Sequence, residues 1–140
     1  MLLAINFLVN IDNLQLSFAR ISPLELASDV DQLSRKQIPP EEGGVRWSAP
    51  PETGRLIMAR AFDGDRTLYE WRREAMSGKP AVRDIDIRHL DRSGKNALHL
   101  WRVSRAWPVR WTGPHYDALH GGLAFEEIEV VFHDLTWHGA

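Results

Sequence analysis

The feature that most constrains the fold of this 140-residue chain is the alternation of apolar and polar residues over several separate runs. Period-two alternation is typical of strands that bury one face. Two such runs lie near the N-terminus, with apolar residues at Leu3, Ile5, Phe7 and Val9 and then at Leu14, Leu16 and Phe18. Asp12-Asn13 between them suits a tight turn, so residues 2–20 are predicted to form a β-hairpin.

The same pattern continues in four later runs. They cover residues 55–61, 82–90, 97–107 and 123–133. In the run at 97–107 we expect Trp101, Val103 and Arg105 to share one face, and Trp107-Pro108 to close the strand. In the last run Glu126 interrupts an otherwise apolar face.

One segment has a helical pattern instead. Its apolar residues recur at helical spacing and are Leu68, Trp71, Ala75 and Met76. Such spacing predicts one apolar stripe along an amphipathic helix. Asp65 is placed to accept amide hydrogens of the first turn, and Gly78 followed by Pro80 is expected to end the helix.

The order of these elements defines the fold class. Many strands with one helix and no βαβ alternation favour a mainly β fold, an antiparallel sandwich or barrel with one flanking α-helix. The length fits a single domain over residues 1–140. A long Pro/Gly-rich loop is predicted at 35–54, and Val45 and Trp47 are its apolar candidates for docking onto another surface.

Composition narrows the function classes. The formal net charge is −2, so no basic excess favours binding to nucleic acid. There is no cysteine, which excludes disulfide frameworks, thiol nucleophiles and iron–sulfur clusters. The apolar N-terminus lacks a basic start and is interrupted by Asn6 and Asn10, so we expect neither a signal peptide nor a membrane anchor.

No constellation points clearly to chemistry. The six histidines form no metal-ligand motif, and the serines do not lie in a nucleophile motif. The carboxylate pairs Asp84/Asp86 and Glu127/Glu129 could serve acid–base catalysis in a cleft, but such pairs also form the wet face of a sheet. We expect no catalytic, cofactor-binding or metal-binding residues, and interpret the arginines as interface ion pairs. A small hydrolase and a monomeric β-barrel binding module stay open as alternatives.

Several segments in a fixed order carry a resemblance to a known family. They read FLVNID, EEGG, RTLYEWRREAMSGKP, RDIDIRHLDRSGK, AWPVRWTGPHYDA and LAFEEIEVVFHDL. The sequence resembles the inner tube proteins of contractile phage tails, R-type pyocins and extracellular contractile injection systems. The residues that match the family pattern are Leu68, Trp71, Asp84, Asp91, Gly94, Ala106, Trp107, Pro108, Gly113, Pro114, Glu127 and His133.

This resemblance implies a non-enzymatic subunit that forms hexameric rings, stacked into a hollow tube that sheath contraction drives through a target envelope. It implies sheath and baseplate proteins as partners, cargo in the lumen, and assembly in the bacterial cytoplasm as part of a virion or a released tail-like particle. The candidate contact residues are Val45, Trp47, Trp107, Arg110 and Trp111. Departures such as Ala61 and Asp134 leave a tube initiator or baseplate ring open as an alternative.

Overall fold

The computed structural model describes residues 2–27, 54–79 and 81–139. Of the predicted loop at 35–54, only Gly54 is among these residues, so Val45 and Trp47 lie outside them, as does Pro80. The elements in chain order are β1 (Phe7–Ile11), β2 (Leu14–Leu16), β3 (Arg20–Ile21), β4 (Gly54–Ala61), α1 (Thr67–Met76), β5 (Arg83–Leu90), β6 (Ala97–Thr112), β7 (Phe125–Phe132) and β8 (Asp134–Gly139).

Two antiparallel sheets share the long strand β6. The first sheet has the order β2-β1-β5-β6-β8, and the second has the order β6-β7-β4-β3. The first half of β6 therefore lies between β5 and β8, while its second half pairs with β7. The predicted mainly β, antiparallel fold with a helix on its side is confirmed for the part of the chain that the structure describes.

The corner in β6 is formed at Arg105. Its φ angle of 56° is in the left-handed region, and its backbone N–H donates to Asp84 Oδ1 at 2.9 Å. The bulge shifts the alternation by one residue, so that Val103 and Ala106 are both buried. The prediction that Arg105 shares a face with Val103 is wrong for this reason: Arg105 is exposed.

The core fills the space between the two sheets and the helix. The first sheet supplies Val9, Ile11, Ile85, Ile87, Val103 and Leu135, and the second supplies Leu56, Met58, Ile128, Val130 and Phe132. Full burial of such side chains contributes roughly 1.5–3 kcal/mol each. Helix α1 closes the core with Leu68 and Trp71, and the indole Nε1 of Trp71 donates to the Ala81 carbonyl at 2.6 Å.

The ends of α1 are close to the prediction. Arg66 is the N-cap and makes no side-chain cap bond, but the neighbouring Asp65 accepts the Thr67 amide hydrogen at 3.3 Å. Gly78 has a φ angle of 84°, the left-handed conformation that commonly follows a helix C-terminus. Met76 does not extend the buried stripe, since it is 57% exposed in the last turn.

Three strand boundaries differ from the sequence-based prediction. The N-terminal hairpin is confirmed only over β1 and β2, and Asp12 in its turn has a φ angle of 52°. Strand β6 does not close at Trp107-Pro108 but continues to Thr112, because it changes sheets after the Arg105 bulge. Strand β8 is absent from the prediction: its six residues do alternate, with Leu135 and Trp137 on one face, but the run is short and its pairing with β6 is what identifies it as a strand.

Candidate assembly surfaces

A buried ion pair joins the second sheet to the start of the helix. Arg60 Nε donates to Glu126 Oε1 at 2.5 Å, and the two side chains are 6% and 0% exposed. The same guanidinium also contacts Asp65, through Nη1 to the carboxylate at 3.2 Å and Nη2 to the carbonyl at 3.2 Å. Burial at this depth requires every polar atom to be paired. Among the described residues, no buried side-chain nitrogen or oxygen lacks a partner.

Trp111 belongs to this internal network. Its indole Nε1 donates to the second carboxylate oxygen of Glu126 at 2.8 Å, and its ring meets Tyr69 edge-on at 5.2 Å between centroids. Sequence reasoning saw Glu126 only as an interruption and read Arg60 as an interface residue. Both occupy inward positions on strands β7 and β4, and opposite charges at two such positions are the signal that could have revealed the pair.

Two other predicted contact residues lie on the same half of β6. Trp107 is half-buried and its ring lies 5.5 Å from that of His133. Arg110 is exposed, with its Nε 3.9 Å from Glu129 Oε1. Arg110 is thus available at the surface, and Trp107 is partly available. Trp111 mainly supports Glu126 through its hydrogen bond. Their role as contacts between subunits stays a prediction.

The first sheet ends in two edges with unpaired backbone groups. Its outermost strands are β2 and β8, and among the described residues no strand pairs with their outer sides. Edges of this kind are templates for pairing with another chain. Trp137 on β8 is 62% exposed and stacks on Trp101 at 5.2 Å, while its Nε1 donates to His99 Nδ1 at 3.1 Å. A large aromatic surface therefore lies beside the open β8 edge.

On the outward face of the first sheet, two opposite charges pair. Arg102 makes a two-point contact with Asp86, at 2.8 and 3.1 Å, and this side-chain contact lowers the pKa of Asp86. The other carboxylates considered for catalysis also have partners. Asp84 accepts the Arg105 amide, and Glu127 and Glu129 bind Arg20 and Arg55. These contacts are typical of solvent-facing sheet surfaces on which carboxylates are paired with arginines or amides.

No group of three or more acidic, histidine or cysteine side chains in residues 2–27, 54–79 and 81–139 is arranged to hold a metal ion. In the same part of the chain, no helix has the length and apolar character needed to cross a membrane.

Comparison with known families gives a match over almost the whole chain. A family model described as "T4-like virus tail tube protein gp19" matches residues 3–136. Comparison with curated protein sequences gives no significant match.

Solved structures show the same fold. One similar chain comes from the PVC extracellular contractile injection system, in its sheath–tube complex in the extended state. It is 22% identical with a TM-score of 0.78, over 100% of this chain and 93% of that one. A chain of the anti-feeding prophage tube-terminating cap is 23% identical with a TM-score of 0.74, over 100% and 92%. Hcp1 from Flavobacterium johnsoniae is 15% identical with a TM-score of 0.61, over 96% and 95%.

Proposed function

This chain belongs to the family of the T4-like virus tail tube protein gp19, and from that premise we propose that its copies form hexameric rings that stack into the rigid inner tube of a contractile injection system. The observation that carries the proposal is the family match over residues 3–136. The proposed role is structural. The tube would carry cargo in its lumen and penetrate the target envelope, and no catalytic step is assigned to it.

The open edges of the first sheet support ring formation. Strands β2 and β8 lie at opposite ends of one sheet, so each copy can pair its β8 edge with the β2 edge of a neighbour. A contact between two different patches is heterologous, and it closes into a ring when the rotation per copy divides a full turn. Closure removes the edges that would otherwise promote aggregation.

The proposed partners follow from the same role. A tube enclosed by a sheath needs an outer surface for sheath subunits, and its first ring needs a baseplate. Sheath–tube, cap and baseplate assemblies are the contexts of the structurally similar chains. We propose assembly in the cytoplasm into a virion or a tail-like particle, with cargo carried in the lumen and no specific binding of nucleic acid.

For the 35–54 segment we propose contact with the neighbouring ring, on sequence grounds alone. Its prolines and glycines exclude a helix or a central strand, while Val45 and Trp47 supply apolar anchors. Trp47→Ser is expected to leave the fold and single rings intact and to prevent stacking. Normal long tubes from this variant would show that stacking depends on other surfaces.

The mass of the purified protein in solution tests the ring directly. Light scattering is expected to give six times the monomer mass, or larger multiples of six as rings stack. A monomer at high concentration would contradict the proposal and favour a small binding module. A stable hexamer that never stacks would favour the second candidate, a tube initiator or baseplate ring.

A further inference from the structure

An ordered loop between β6 and β7 presents apolar side chains to solvent. In residues 113–124, Tyr116 is 79% exposed, Leu119 88% and Leu123 79%. Hydrogen bonds hold the turn in this loop: Asp117 Oδ1 accepts the amide hydrogens of Leu119 at 2.9 Å and His120 at 3.1 Å. Scattered apolar residues on a surface are ordinary, but three in one structured turn form a patch of the kind that marks an interaction site.

An apolar groove lies at the opposite end of β6. It has a volume of about 490 Å³. Its apolar lining consists of Leu2, Leu3, Ile5, Leu90 and Leu98. The first three of these are themselves exposed to between 40% and 73%. The groove is therefore a second uncovered apolar surface, made by the N-terminal segment and by the β5–β6 turn.

The two ends carry opposite charge. Arg92 lines the groove and Lys95 belongs to the same turn, and neither has an acidic partner within ion-pair distance among the described residues. The carboxylate of the neighbouring Asp91 instead accepts hydrogen bonds from the Ser93 hydroxyl and the Asn96 side-chain amide.

The loop end is acidic. Asp117 contacts the His120 ring at 3.0 Å. Asp63 lies nearby, since the Phe62 amide donates to the Ala124 carbonyl at 2.8 Å. Apolar and charged groups at one end thus complement those at the other.

The loop cannot fill the groove of its own chain. The 16 residues of strand β6 separate the groove from the loop, and at about 3.3 Å per residue the extended stretch on each side of the Arg105 bulge is on the order of 25 Å long. We propose that the 113–124 loop of one copy inserts into the Leu2/Leu3/Ile5/Leu90/Leu98 groove of a second copy. Sheet edges pair sideways, perpendicular to the strands, whereas strand ends point along them. In this proposal the loop-to-groove contact is one that stacks successive rings, alongside the contact proposed for the 35–54 segment.

This inference rests on the proposed function, and a cross-linking experiment separates the two. Because the chain has no cysteine, Ile5→Cys and Leu119→Cys introduce unique thiols at exposed positions. Assembled tubes of the double variant, treated with a short bismaleimide, are expected to give a ladder of covalent oligomers. Each single variant is expected to give none, because the contact joins two different sites. Electron micrographs of the same samples report whether tubes formed.

The outcomes are distinct. Intact tubes without a ladder, or cross-linked dimers from Leu119→Cys alone, would overturn the loop-to-groove contact while leaving the tube function standing. Failure of the wild-type protein to form any ring or tube would overturn both.

A substitution pair gives a second measurement. Leu119→Ser is expected to shorten tubes severalfold, and Val82→Ser, at 48% exposure outside both surfaces, to leave their length unchanged. Equal tube lengths for the two variants would contradict the inference.

Discussion

At the scale of single residues, the consequences of a substitution depend on whether the group it leaves behind can reach water. Arg60 and Glu126 show the buried extreme, because each compensates a charge that has almost no solvent contact. Arg20 on β3 and Glu127, the residue after Glu126 on β7, show the other extreme: their side chains are 65% and 40% exposed. The two pairs offer a direct comparison within one sheet.

We expect Glu126→Gln to lower the free energy of unfolding by about 3 kcal/mol, because it leaves the Arg60 guanidinium buried with only the half-exposed Asp65 as a counter-charge. Glu127→Gln, the matched control, is expected to cost less than about 1 kcal/mol. Urea unfolding followed by circular dichroism measures both. Equal losses would show that burial does not govern the Arg60 contact.

Trp71→Ala is expected to cost about 3–5 kcal/mol, because the indole is almost fully buried between α1 and the sheets. Trp71→Phe keeps most of the ring volume but leaves the Ala81 carbonyl without its donor, so an intermediate loss is expected. Thermal melting checks the series. If Trp71→Ala melts within a degree or two of the wild type, the helix is not anchored by this side chain.

At the scale of elements, alternation predicted the strands that keep one partner sheet. Strands β4 and β7 each turn alternate residues toward one core along their whole length, and the charged Arg60 and Glu126 are the exceptions to the apolar character of those positions. Strand β6 serves two sheets, and the bulge that turns it depends on Arg105 contacting Asp84, a residue 21 positions earlier. Strand β8 is specified by pairing with β6. A local sequence pattern does not predict such long-range contacts. It predicts the shape of an assembly surface even less, because that shape depends on several elements at once.

The Arg105 bulge makes a prediction of its own. A β-branched residue is strained at a φ angle of 56°, whereas glycine adopts it freely. Arg105→Val is therefore expected to be less stable than Arg105→Gly by about 1–2 kcal/mol. Chemical unfolding of the two variants decides this, and a valine variant as stable as the glycine variant would argue against the left-handed corner.

The β5–β6 turn is expected to weaken in acid. Hydrogen bonds from the Ser93 hydroxyl and the Asn96 amide lower the pKa of the Asp91 carboxyl below its usual value. Since the folded pKa is depressed, the stabilisation is present above the unfolded pKa of about 3.9 and is lost as the pH falls through the folded pKa. Asp91→Asn should make stability fall less steeply below about pH 4, with Ser93→Ala intermediate. Identical pH profiles would refute this contribution.

At the scale of the whole molecule, the described residues form two sheets with unpaired edges and exposed apolar surfaces that face in different directions. The β2 and β8 edges leave backbone groups for lateral partners, and the two ends of β6 carry complementary apolar and charged surfaces. Neither the number of copies in a ring nor the stacking contact follows from periodicity. The ordered motifs that resemble tube proteins indicated the assembly, and the family match over residues 3–136 supports it.

Electron microscopy of the purified protein tests the central claim most directly. In negative stain, end-on views are expected to show rings with six-fold symmetry and a central hole, and side views to show straight tubes of stacked rings. Uniform small particles, with no ring at any concentration, would contradict the account of this chain as a tube subunit.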